Sequence, residues 1–112
     1  MALSVATAGV ISATTTGENT IATITSANVY DLNVDVNAMV GGTTPTIIII
    51  REYGKPRATG TERLIKAYTM VGAQTEKHFK TIARVSPHHI KYTLTRAQGT
   101  GNSYPVAVYQ VQ

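Results

Sequence analysis

From Tyr30 to Ala38 the chain alternates strictly. Tyr30, Leu32, Val34, Val36 and Ala38 form one row, and Asp31, Asn33, Asp35 and Asn37 the other. Successive side chains of an extended chain point to opposite faces, so a period of two predicts a strand with one dry and one wet face. A helix would spread the same apolar residues around its circumference. The turn-forming cluster Gly41-Gly42-Thr43-Thr44-Pro45 follows. Ile47 to Ile50 then place four β-branched residues in a row, as in a strand covered on both faces. Residues 28–53 therefore read as a hairpin around which the rest is organised.

A gapless shift of sixty positions lays a second stretch on the first. Ile90, Tyr92 and Leu94 fall on Tyr30, Leu32 and Val34, Gly101 on Gly41, and Pro105 on Pro45. Val106-Ala107-Val108-Tyr109 then falls on Thr46-Ile47-Ile48-Ile49. Identity is low, and any two hairpins of a β protein share part of this pattern. A structural repeat and a coincidence of patterning both fit.

The remaining segments are short. Residues 20–25 alternate as a strand, and 54–60 form a loop with Lys55 and Arg57 at its tip. In residues 62–71 the pair Glu62 and Lys66 suits a helix. The row Leu64, Lys66, Tyr68, Met70 suits a strand, which the neighbouring turns favour. Residues 76–85 read as a strand with Phe79, Thr81, Ala83 and Val85 on one face. Ser86-Pro87-His88 is a turn, because the residue before proline avoids helix. Strands at 89–96 and 104–111 close the chain. Residues 1–19 hold too few large apolar groups to form core. They read as an extended arm with one short edge strand near Gly9–Ala13. The expectation is an all-β fold: a single β-sandwich, jelly-roll or Ig-like, of seven to eight short antiparallel strands over 20–112, with an N-terminal arm over 1–19.

At 112 residues, a single domain can bury a core without covalent staples. There is no cysteine, which argues against a disulfide-stabilised secreted scaffold. No apolar run approaches the ~20 residues needed to span a bilayer. The first residues carry no Lys or Arg, so they lack the charged start of a signal peptide. The net charge of +4 is unevenly placed: residues 1–50 hold three acids and no base, and residues 51–112 hold ten bases and three acids. Such asymmetry points to a surface that meets an acidic partner, or to a solvated basic face that aids solubility.

Candidate chemistry is sparse. Asp31 and Asp35 share a strand face about 13 Å apart at ~3.3 Å per residue, too far for paired carboxylates acting on one glycosidic bond. The Asp31–Asn37 row lacks the Gly and Glu of a calcium loop. His88 and His89 are adjacent and point opposite ways on a strand, so they cannot chelate one metal together. Gly99-Thr100-Gly101-Asn102 lacks the lysine of a phosphate loop. No catalytic residue, cofactor or metal ligand is expected, and the protein reads as a non-enzyme. Basic residues do alternate with tyrosines, as single-strand nucleic-acid binding needs. Tyr30, Tyr68 and Tyr92 sit on apolar rows, however, and read as core residues with the hydroxyl at the rim. Nucleic acid is thus the lesser alternative. Tyr53, Tyr104 and Tyr109 are the candidate aromatics for a carbohydrate or host-surface site, although the chain has no Trp and one Phe.

The stretch YDLNVDVNAMVGGTTPTIIIIREYG, with HIKYTLTRAQGTGNSYPVAVYQV at the end, resembles small β-sandwich proteins in the virions of tailed bacteriophages. The resemblance covers about residues 28–112 and rests on pattern. It implies a structural virion protein of the capsid decoration (cement) type on the capsid surface, commonly a homotrimer, bound to a lattice of the major capsid protein, or alternatively a head-fibre or tail part. It carries over no functional residue. The basic stretch from Arg51 to Arg96 is not part of the family's pattern. Its residues Lys55, Arg57, Arg63, Lys77 and Lys80 are the expected contacts to an acidic shell.

Overall fold

A computed structural model describes residues 3–13, 16–86, 88–99 and 101–111. Among them are nine strands and no helix: β1 (Leu3–Ser12), β2 (Glu18–Ile24), β3 (Asn28–Asp35), β4 (Ile47–Gly54), β5 (Arg63–Val71), β6 (His78–Lys80), β7 (Arg84–Ser86), β8 (Ile90–Gln98) and β9 (Ser103–Val111). Every pairing is antiparallel. One sheet runs β1-β9-β3-β6, with β7 also on β3, and the other runs β2-β8-β4-β5. The protein is an all-β sandwich.

The period-two rows build its interior. Tyr30, Leu32 and Val34 of β3 and Val106 and Val108 of β9 face Ile48 and Ile50 of β4 and Ile90, Tyr92 and Leu94 of β8 as one buried cluster. Because these strands lie at the centre of their sheets, each dry row is covered from across the sandwich. The isoleucine run is less enclosed than expected. Ile48 and Ile50 are fully buried, while Ile47 and Ile49 are half-buried on the outer face.

The expected hairpin over 28–53 is not formed. β3 pairs with β9, β6 and β7, and β4 pairs with β5 and β8, so the two strands lie in different sheets. The segment 36–46 between them crosses from one layer to the other. The second stretch does the same in reverse, from β8 in one sheet to β9 in the other. The two units therefore interlock, β3 beside β9 and β4 beside β8. Their registers differ. Leu32 is opposite Val108, and the sixty-residue shift would put Tyr92 opposite Ile48, but Tyr92 faces Glu52 four residues on.

The start of the chain joins a sheet. β1 runs along β9 from Leu3 to Ser12, with a bulge between Val5 and Thr7, a longer pairing than the edge strand expected at Gly9–Ala13. Pro105 is tolerated in β9 because the ladder to β3 begins only at Val106, so its missing N–H leaves no β3 partner unmet.

Residues 62–71 are the strand expected, β5, at the outer edge of its sheet. The single strand expected over 76–85 is instead two three-residue strands. Between them Thr81 takes the place of a ladder rung. Its N–H donates to Leu32 O at 3.0 Å, and its hydroxyl accepts from Leu32 N–H at 2.9 Å. β5 and the β6–β7 edge flank one open side of the sandwich, bridged by an edge-to-face contact of Tyr68 with Phe79 at 5.2 Å.

A candidate site: the basic cleft at the open side

β4 ends at Gly54, where the chain turns through Lys55 and Pro56. The register of β4 on β5 slips between Glu52 and Tyr53, which face Lys66 and Leu64. Ile65 is the extra residue of this bulge, and a bulge re-aims a side chain out of the alternation. Its Cδ1 comes so close to Gly54 that a Cβ there would lie 2.8 Å away. A side chain there would push the Ile65 terminal methyl aside.

Ile65 forms one wall of a cleft of about 400 Å³ between the end of β4, the start of β5, β7 and the start of β8. Pro56, Val85 and Ile90 complete its apolar lining, and Lys55, Arg63, Arg84 and His89 supply four basic groups. Among the described residues no acid lines it. Ser86 also lines it, is 3 % exposed, and its Oγ has no hydrogen-bond partner among the described residues.

Behind the cleft lies a charge inside the sandwich. The buried row of β4 runs Ile48, Ile50, Glu52, and Glu52 is fully buried. Arg84 Nε stands 3.1 Å from its Oε2, an ion pair in contact in which neither atom completes a hydrogen bond of good geometry. This carboxylate holds the Arg84 guanidinium above its ordinary pKa. Burial first, and the Glu52 charge second, push the Tyr68 and Tyr92 hydroxyls up, so both are neutral at pH 7.

Outside, Glu62 gathers two basic side chains: His89 Nε2 is 2.5 Å from Oε2, and Lys91 Nζ is 2.9 Å from Oε1. The hydrogen bond from Lys91 does most to hold the Glu62 carboxyl below its usual range. Lys55 and Arg63 have no ion-pair partner among the described residues. The surplus positive charge of the cleft is theirs.

The five basic residues singled out in the sequence are divided. Lys55 and Arg63 share the cleft, and Arg57 is exposed on the adjoining turn, where its carbonyl accepts from Gly60 N–H at 2.9 Å. Lys77 lines a separate, shallower recess of about 350 Å³ with Asp35 and His78. Ser86 and His78 pair with opposite ends of β3, at Asn28 and Asp35. That separates the two sites by roughly 23 Å at ~3.3 Å per residue. Lys80 Nζ lies 2.7 Å from Asp31 Oδ2. Asp31 itself, expected on a wet face, is 8 % exposed, since Lys80 and Asn33 bond across it.

Of the candidate aromatics, Tyr104 is fully buried and cannot face a ligand. Tyr53 donates to Glu18 Oε2 at 2.6 Å and lies 4.8 Å beneath Lys91 Nζ, so its ring is already engaged. Tyr109 is half-buried. Tyr30 and Tyr92 are core as expected, and Tyr30 donates to Ser26 O at 2.8 Å. Two of the three histidines have separate partners, with His78 Nε2–H donating to Asn33 Oδ1 at 2.6 Å and His89 on Glu62. Among the described residues no group of three His, Cys, Asp or Glu is placed to hold a metal ion.

Sequence reasoning missed Glu52, Arg84, Ser86 and His89 as parts of one site. The Glu52 signal was present as a carboxylate continuing the Ile48–Ile50 row. The other three depend on where β7 docks. Compared with protein-family models, with curated proteins and with solved structures, the chain matches none.

Proposed function

We propose that the protein is a structural, partner-binding component of a virion, a capsid decoration protein whose open side attaches to an acidic, repeating protein surface. One observation carries this reading. Lys55 and Arg63, without ion-pair partners among the described residues, line one cleft with exposed Ile65 and Val85. On that side the outer edge of β5 has no neighbour among the described residues. An exposed patch that is both apolar and basic favours a partner that buries it and supplies acids. The free β5 edge adds backbone groups to which an extended segment can pair. Repetition over a lattice multiplies weak contacts into firm attachment. The resemblance to virion sandwich proteins supplies the lattice and the homotrimer.

The test is co-sedimentation of the purified protein with heads from the virus whose genome carries this coding sequence. Saturable binding at a fixed copy number per head, weakened by salt and by Arg63→Glu, is the expected result. Protein left in the supernatant, or binding indifferent to both, overturns the reading. Light scattering on the free protein checks the trimer.

A further inference from the structure

The cleft beside β7 is built as a pocket as well as a patch. We infer that it binds an organic monoanion, a carboxylate carried on an apolar body. This stands whether or not the protein decorates a capsid.

The size, about 400 Å³, falls within the roughly 300–1,000 Å³ of small-molecule sites. Such sites are mostly apolar with a few converging polar groups, and here Ile65, Val85 and Ile90 are the walls. The sign of the charge follows from the local pairing. Glu52 behind the cleft is matched by Arg84, and Glu62 outside it by His89 and Lys91. Among the described residues Lys55 and Arg63 remain unmatched at the opening, so a cation is repelled and an anion drawn in. Ser86 supplies an independent observation. Ser86 is a lining residue, and its hydroxyl, closed off from solvent, has no partner among the described residues, although buried polar groups nearly always find one. A ligand carboxylate would accept its hydrogen once the Ser86 side chain turns toward the cleft. A phosphate dianion fits less well, because stripping two charges of water against apolar walls costs more than stripping one.

The shared chemistry has two possible sources, a free alkyl or aryl carboxylic acid and the C-terminal carboxylate of a peptide. The experiment is an NMR titration of the full-length ¹⁵N-labelled chain with five probes: octanoate, octylamine, inorganic phosphate, and the tripeptide acetyl-Ala-Val-Leu as free acid and as amide. Octanoate should shift the amides of Gly54, Lys55, Ser86 and His89 saturably, and octylamine should not. The double variant Lys55→Gln/Arg63→Gln should weaken octanoate about tenfold or more, the effect of losing charge-assisted bonds. Ser86→Ala should weaken it several-fold with the spectrum otherwise intact. If the tripeptide acid also binds and its amide does not, the chain terminus is an accepted source. If octanoate alone binds, the free acid is. No saturable shift, equal binding of octylamine, preference for phosphate, or unchanged affinity in the double variant each overturns the inference.

Discussion

Arg84 Nε lies 3.1 Å from Glu52 Oε2, joining the edge strand of one sheet to the centre of the other through a carboxylate with no exposed surface. The two partners are unequal, since the Arg84 side chain keeps 30 % of its surface exposed. Removing Arg84 leaves an unmatched charge in the core. Removing both leaves an apolar contact of similar volume. Arg84→Met should therefore destabilise the fold by about 3–5 kcal/mol, and Glu52→Leu/Arg84→Met should recover most of that loss. Urea unfolding of the two variants checks it. Equal destabilisation of the single and double variants would show that the charge is not what matters.

Gly99 closes the turn after β8 with φ +94°, and a Cβ there would meet the Thr46 backbone Cα at 2.8 Å. Both the conformation and the neighbour exclude a side chain. Gly99→Ala should lower stability by about 1–3 kcal/mol, the range for a residue held in an unfavourable backbone region. At Gly9 in β1 an added Cβ would meet no atom within 4 Å, so Gly9→Ala should stay within ~0.5 kcal/mol of the parent. Denaturation midpoints of the two variants, read side by side, separate backbone strain from a general effect of added bulk.

The strand rows are legible in the sequence because alternation reports which face is dry. Tyr30, Leu32, Val34 and Val36 are all buried, and β5 is a strand despite its helix-like Glu62–Lys66 spacing. Alternation does not report which strand lies alongside. A dry row packs as well against a partner across the sandwich as beside one on a hairpin. Pattern alone therefore pairs β3 with β4, whereas they face each other from separate sheets. Tyr104 belongs to the row of Val106 and Val108, and that period already excludes it as a surface aromatic. The cleft is not legible, because it depends on the bulge at Ile65 and on the break at Thr81 that frees β7 to dock separately. Both are settled by contacts between distant segments.

Acid should loosen the fold through two carboxylates outside the core. Thr93 and Tyr53 hydroxyls donate to Glu18, and Lys91 donates to Glu62, so both carboxyls titrate below their usual values. A carboxyl with a depressed folded pKa adds stability that is present above its unfolded value, about 4.3 for Glu. That stability is lost as pH falls through the folded value. The urea midpoint should therefore hold from pH 7 to about 5 and drop below about 4. Glu62→Gln should flatten part of that drop and lower the midpoint at pH 7. A midpoint in Glu62→Gln with the parent's full acid dependence would remove Glu62 from this account.

Deleting residues 2–12 tests how the start of the chain contributes. β1 pairs with β9 from Leu3 to Ser12, yet Val5 and Val10 are more than half exposed, and it is Ile11 that packs on the core. Its contribution is thus mostly backbone pairing. At roughly 0.5–1.5 kcal/mol net per hydrogen bond, losing the ladder should lower stability by about 3 kcal/mol or more without abolishing the fold. The deletion also bares the flank of β9, a long and mostly uncharged strand, and such an edge recruits other chains. The truncated protein should remain β-rich by circular dichroism, unfold at lower urea, and self-associate in a concentration-dependent way by light scattering. A truncated chain with an unchanged midpoint and an unchanged mass would mean that β1 lies on β9 without stabilising it. The first residues would then be free to pair with a neighbour.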